Sequence, residues 1–267
     1  MDSAERELLE ETLRKAMAAS ANGPSCAADR RLDAYLTELG WPDMLDEDPR
    51  SAIRAVFRLL GETGAHAPVL NDVLLYEMGR PPGGVVPLPF AGGRWVEWAR
   101  DQEDGCAVDP ALPLRTVADG TPVPLALGRQ ALGWWLLGTG HTMLALARQH
   151  VLDRHQFGRP LASFQALRHR LAETLVALEG AEATLVCADG DLSSLLAKAA
   201  AGRAALAAAR HCQQALGGIG FTAEHELHRH VERTLVLDGL LGSARELTRE
   251  AGALLVARGR APRLVQL

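Results

Sequence analysis

The 267-residue sequence has almost no lysine: Lys15 and Lys198 are the only two among 28 basic residues. The net charge of −5 reads as mild and spread out, and no basic stripe is apparent. A nucleic-acid partner is therefore not expected. Cysteine is scarce as well. Cys26, Cys106, Cys187 and Cys212 stand apart with no Cys-x-x-Cys pair, which argues against a disulfide framework or a zinc site and for reduced thiols in a cytoplasmic protein. The opening residues, Met1-Asp-Ser-Ala-Glu-Arg6, lack the apolar core of an export signal. Long unbroken apolar runs are missing too. Ala131–Ala147 comes nearest, but Gly133, Gly138, Gly140 and His141 interrupt it while Arg129 and Arg148 bracket it. It reads as a helix buried inside a bundle, with no membrane partner expected.

What is present is mostly helical periodicity. Leu8, Leu9, Leu13, Ala16 and Met17 fall at helical spacing in residues 2–20, stopped by Gly23-Pro24. Leu32, Tyr35, Leu36 and Leu39 mark a second helix, ended by Gly40-Trp41-Pro42. Asp48-Pro49 is a start signal, Asp as cap and Pro at the first helical position, for a helix running to Gly64. A fourth covers Pro68 to Met78. Residues 1–79 are thus expected to form a helical N-terminal region.

Residues 80–124 change character. Pro81-Pro82-Gly83-Gly84 and further prolines punctuate short runs, Arg94–Ala99 and Leu112–Val117, that suit brief strands. Residues 125–267 return to helix. An apolar helix is expected over Leu125–Leu152. Ser163 is expected to cap a helix with the stripe Phe164, Leu167, Leu171, Leu175 and Leu178. An Ala-rich helix should run from Asp191 or Ser193 to Leu216, Thr222 should open a short one, and Leu235–Ala257 should close a bundle.

Two motifs carry the chemistry. The first is Arg154-His-Gln156-Phe157-Gly158-Arg-Pro-Leu-Ala-Ser-Phe-Gln165; the second is Gln214-Ala-Leu-Gly217-Gly218-Ile-Gly220-Phe221. A pyrophosphate needs a permanently charged donor with several N–H groups, which a guanidinium supplies. Glycines 217, 218 and 220 would let backbone approach a nucleotide where side chains would obstruct it. Taken singly, these features fit a surface arginine and a glycine turn that ends a helix equally well. Together, at this separation, they resemble the C-terminal helical domain of acyl-CoA dehydrogenases, the flavoenzymes that desaturate acyl thioesters.

That resemblance implies a mostly α fold: an N-terminal helical region, a strongly reduced β middle segment and a C-terminal four-helix bundle. It implies FAD shared between subunits, with Arg154, Gln156, Phe157, Gln165, Gln214, Gly217 and Gly218 on its nucleotide half. It also implies a catalytic glutamate that this sequence does not carry. The position for it near the C-terminus reads Leu241-Gly242-Ser243, and the alternative position on the preceding helix is Gly128 or nearby. Neither offers a carboxylate, so no catalytic residue is assigned. The middle segment also holds too few residues to enclose a flavin ring. The resemblance is therefore to the short, non-catalytic subunit of α2β2 actinobacterial steroid acyl-CoA dehydrogenases. A full-length dehydrogenase partner would supply the glutamate, and the complex would act on an acyl-CoA.

Two other readings stay open. One is a purely structural or regulatory helical partner. The other is a self-sufficient dehydrogenase with a displaced base, Glu77 or Asp238. Histidines 211, 225, 228 and 230 lack a completing carboxylate, so no metal is assigned. Trp134-Trp135 and the Arg94–Trp98 tryptophans read as packing.

Overall fold

A computed structural model describes residues 3–21, 25–100 and 108–261. The Gly23-Pro24 stop and Cys106 lie outside the described residues, as does the side chain of Cys26. Helices α1 (Ser3–Ala21), α2 (Ser25–Glu38), α3 (Trp41–Glu47), α4 (Pro49–Thr63) and α5 (Val69–Glu77) come first. Strands β1 (Pro87–Phe90), β2 (Arg94–Trp98) and β3 (Leu114–Val117) follow, then α6 (Ala126–Asp153). A two-residue hairpin, β4 (His155–Gln156) and β5 (Arg159–Pro160), leads into α7 (Gln165–Val186) and α8 (Asp191–Leu216). Helices α9 (Leu227–Gly239) and α10 (Ala244–Arg258) complete the bundle. The architecture is mostly α with a strongly reduced β segment, as the sequence implied.

Asp48 caps α4 through Oδ1, which accepts from Ser51 N at 3.2 Å, and Gly64 closes it at φ 74°. Gly40-Trp41-Pro42, expected to end a helix, also begins one. Gly40 is the left-handed N-cap of α3, and Pro42 sits in its first turn, where a missing N–H costs nothing.

The three strands form an antiparallel meander with β2 in the middle. β1 was not foreseen because Pro87 and Pro89 argue against a strand. Pro89 turns its carbonyl away from β2, accepting from Leu241 N at 2.7 Å, so its missing N–H falls on the edge that β2 does not use. Buried Asn71 fastens the sheet to α5, donating to Trp98 O at 3.0 Å and accepting from Val86 N at 3.2 Å.

The glycines that interrupt α6 are where other helices press on it. A β-carbon on Gly61 of α4 would meet Thr139 N at 2.6 Å, and one on Gly138 would meet Glu62 N at 3.0 Å, so these two backbones touch. Gly133 and Gly140 receive Leu185 and Leu178 of α7, each at 2.6 Å from such a carbon. Trp135 is wholly buried and stacks on Trp98 at 5.5 Å, with Phe57 edge-on at 5.7 Å. Among the described residues no helix is long and apolar enough to cross a membrane.

Four expectations need correction. Ser163 does not cap α7: it ends a 3-10 turn, its hydroxyl donates to Pro160 O at 2.7 Å, and Phe164 holds the N-cap without a side-chain bond. Leu175 is 44% exposed, because α7 lies on the outside and buries only the row Thr174, Leu178, Ala181 and Leu185. Leu175 falls about a quarter-turn off that row. Finally, Leu235–Ala257 is not one helix. Leu241 (φ 55°) and Gly242 (φ 99°) break it, and Ser243 with Glu246 forms a capping box that starts α10. Thr222 likewise ends the 3-10 turn Gly217–Phe221, and the next helix waits until Leu227.

Candidate functional site

Both sequence motifs arrive at one end of the bundle. A second core unites the last turns of α6 (Met143, Ala147, Val151) with those of α8 (Cys212, Ala215, Leu216) and with Leu227; Leu167 and Leu171 of α7 pack against it. This places the segment after α6 beside the segment after α8.

After α6 the chain extends at Arg154 and reverses through Phe157 and Gly158, with φ of 56° and 76°. Two successive positive φ values make the tight turn that suits a two-residue hairpin. Phenylalanine pays for this geometry with strain, yet its ring is 88% exposed. Phe157 meets Phe164 edge-on at 6.1 Å, and the Arg159 guanidinium lies 4.2 Å over Phe164. Arg154, Gln156 and Gln165 are all exposed, Gln165 as the first residue of α7.

Across from them, Gln214 is exposed on the last turn of α8, and Gly217 (φ 66°, ψ −142°) takes a conformation that favours glycine. No atom lies within 4 Å of where a side chain would begin on Gly217 or Gly218, so both leave open backbone. Gly220 does not share that role. A β-carbon there would strike the chain's own Gln213 carbonyl at 2.6 Å, so it is a packing glycine.

The charge is not evenly spread after all. Residues 154–172 and 192–223 contain no aspartate or glutamate, while Arg154, Arg159, Arg168, Arg170 and Arg210 all belong to them. His150, next to Arg154 and His225, is kept below the ordinary imidazole range by burial and then by those two neighbours. An exposed guanidinium and open glycine backbone at one end of the bundle, on segments rich in arginine, suit a pyrophosphate.

The second region of interest is where a catalytic base would be expected. Leu241 is buried, and its Cδ1 reaches to 2.9 Å from where a side chain on Gly128 would begin. Leu74 fills the same corner, at 2.7 Å from that point. The two positions singled out for a base therefore converge in space, and both are apolar. The break carrying Leu241 is tied down on every side. Ala91 N donates to Gly239 O at 2.9 Å and Gly92 N to Glu246 Oε1 at 2.9 Å. Lys198 Nζ donates to Asp238 O and Gly242 O, and Arg129 Nε to Leu241 O.

The other carboxylates nearby are engaged. Glu77 caps α6, accepting from Ala126 N at 3.1 Å and Leu127 N at 3.2 Å, although burial pushes its carboxyl above the usual range. Asp238 Oδ1 accepts from Ala244 N at 3.0 Å at the start of α10. Histidines 225, 228 and 230 serve separate structural ends. His225 accepts from Leu227 N, His228 pairs with Glu232, and His230 is buried against α4's Gly64.

A helical bundle with this pair of motifs, joined to a helical N-terminal region through a small sheet, defines an acyl-CoA dehydrogenase class of fold. Residues 121–253 match the family "Acyl-CoA dehydrogenase, C-terminal domain", and that half of the chain belongs to the acyl-CoA dehydrogenase family. Acyl-CoA dehydrogenase FadE34 of Mycobacterium tuberculosis is 36% identical over 202 residues, 66% of this chain and 28% of that protein. Acyl-CoA dehydrogenase IpdE2 of the same organism is 34% identical over 144 residues, 53% of this chain and 43% of that protein. The chain thus spans less than half the length of these curated relatives. Among solved structures, a variant of the steroid ACAD Tcur3481-Tcur3483 superposes with a TM-score of 0.71 at 19% identity, covering 96% of this chain and 98% of that one. The ChsE4-ChsE5 complex of Mycobacterium tuberculosis gives 0.67 at 16%, covering 98% and 99%. At such identities these likenesses speak for the fold.

Proposed function

We propose that this chain is the non-catalytic subunit of a heteromeric, FAD-dependent acyl-CoA dehydrogenase that introduces an α,β double bond into a CoA thioester. The observation that carries this reading is the contact between Leu241 and Gly128. A carboxylate must stand against the substrate α-carbon to remove its proton, and both positions for it are filled by hydrocarbon. FAD, when bound, accepts the hydride from the β-carbon. This chain's part is to hold the nucleotide half: Arg154 on the pyrophosphate, with Gln156, Phe157, Gln165, Gln214, Gly217 and Gly218 around it. A full-length dehydrogenase partner in an α2β2 assembly contributes the ring site and the base. The exposed Leu175, Val176 and Val186 on the outer side of α7 are consistent with a protein partner on the bundle. A steroid-derived thioester is the substrate class suggested by the steroid dehydrogenase among the structures of like fold.

Co-expression with its dehydrogenase partner tests the reading. The complex should purify yellow, and Arg154→Ala should lose FAD while leaving the subunits associated. A variant complex with full flavin occupancy rejects the role of Arg154. Turnover by this chain alone rejects the division of labour.

A further inference from the structure

The basic end of the bundle holds a second arginine whose position is fixed by an uncharged group. Thr174 Oγ donates to Arg170 O at 2.8 Å, so its hydroxyl proton is spent within α7. The 2.7 Å contact between Thr174 Oγ and His211 Nδ1 must then have Nδ1 as the donor. His211 Nε2 is left with a lone pair, and it accepts from Arg170 NH1 at 3.3 Å. Burial, then Arg170, then Arg210 disfavour the protonated imidazole, which keeps Nε2 an acceptor; Glu173 opposes them without reversing the direction.

The more buried arginines are oriented by carboxylates: Arg58 by Glu62 and Glu182, Arg100 by Asp33 and Asp72, Arg233 by Asp109. Arg170 is instead oriented by an uncharged ring. Among the described residues no carboxylate forms an ion pair with it. His211 lies one helical turn before Gln214 on α8, so the pair stands on the same side of that helix as the glycine segment's first residue. An exposed guanidinium held by a neutral ring, with no carboxylate ion-paired to it, can receive an anion.

We infer that Arg170, seated on the His211 imidazole, is a second anion-binding position at this end of the bundle and takes a phosphate of the nucleotide that Arg154 also holds. This rests on the functional reading above, and its test separates the two. Inorganic pyrophosphate is titrated into the full chain while the His211 ring signals are followed by NMR. A saturable shift is expected, and Arg170→Gln should weaken the apparent affinity by about tenfold, the effect of one charge-assisted bond. Arg203→Gln, elsewhere on α8, should leave it unchanged. His211 signals that ignore pyrophosphate, or an Arg170→Gln chain that binds it equally well, overturn the inference. In the complex with the dehydrogenase partner, Arg170→Gln should lower FAD retention without separating the subunits. Flavin lost with Arg154→Ala but kept in full with Arg170→Gln overturns this inference alone. Flavin kept in both overturns the functional reading. An Arg170→Gln chain that no longer associates assigns the guanidinium to a carboxylate of the partner instead, which also overturns it.

Discussion

Lys198 Nζ lies 2.5 Å from the carbonyl oxygen of Gly242, inside a helix pair where the lysine side chain has no exposure at all. With Asp238 O as its second acceptor at 2.9 Å, this ammonium joins the end of α9 to the turn before α10. It therefore holds the break in which Leu241 takes its left-handed conformation.

Burial lowers the Lys198 pKa from its ordinary 10.5 to about 7; Asp238 and Glu246 oppose the shift and Arg129 adds to it. The folded chain thus binds this proton less readily than the unfolded one. Its destabilising contribution is complete below pH 7 and disappears as pH rises towards 10.5. Stability should increase with pH across that window, by at most about 1.4 kcal/mol per pH unit from this residue. Urea unfolding of the wild type and of Lys198→Met between pH 7 and 10 checks it. An unchanged slope in the variant rules it out.

Substitutions at Leu241 should invert the usual order. Leu241→Ala leaves a cavity beside Gly128 and Leu74, and should cost roughly 2–5 kcal/mol. Leu241→Gly opens a slightly larger cavity but relieves the φ of 55°, which is worth about 1–2 kcal/mol. The glycine variant should therefore be at least as stable as the alanine variant. A glycine variant clearly less stable in denaturant titrations removes the argument for strain at this position.

Gly61 and Gly138 should tolerate nothing larger. Each alanine variant drives a methyl into the backbone of the facing helix, where no side chain can move aside, and should lose about 3 kcal/mol or more. Gly252→Ala, on the exposed side of α10 with no atom within 4 Å, should instead gain roughly 0.5–1 kcal/mol. Melting temperatures of the three variants give the comparison directly.

Much of the helical layout was legible because it is written locally. Asp48-Pro49, Gly64 and the Asp191 start are signals read within one turn, and they fell where expected. The Gly242-Ser243-x-x-Glu246 signal was equally local, but the apolar residues on either side masked it and the break was missed. β1 was missed for a non-local reason: its prolines are tolerable only because β2 uses the opposite edge. The motif residues of the candidate site were legible as residue types, whereas Gly220 could be separated from Gly217 and Gly218 only by its clash with Gln213.

The sequence by itself determined where α4 and α8 begin, which residue types could meet a phosphate, and that no carboxylate stands at Leu241 or Gly128. Hydrogen bonding and side-chain reach within a few residues suffice for those conclusions. Tertiary structure alone decided that Leu241 and Gly128 are neighbours, that His211 fixes Arg170, and that the α6 glycines are seats for α4 and α7. Those facts depend on which faces pack together, and packing joins residues that no local pattern relates.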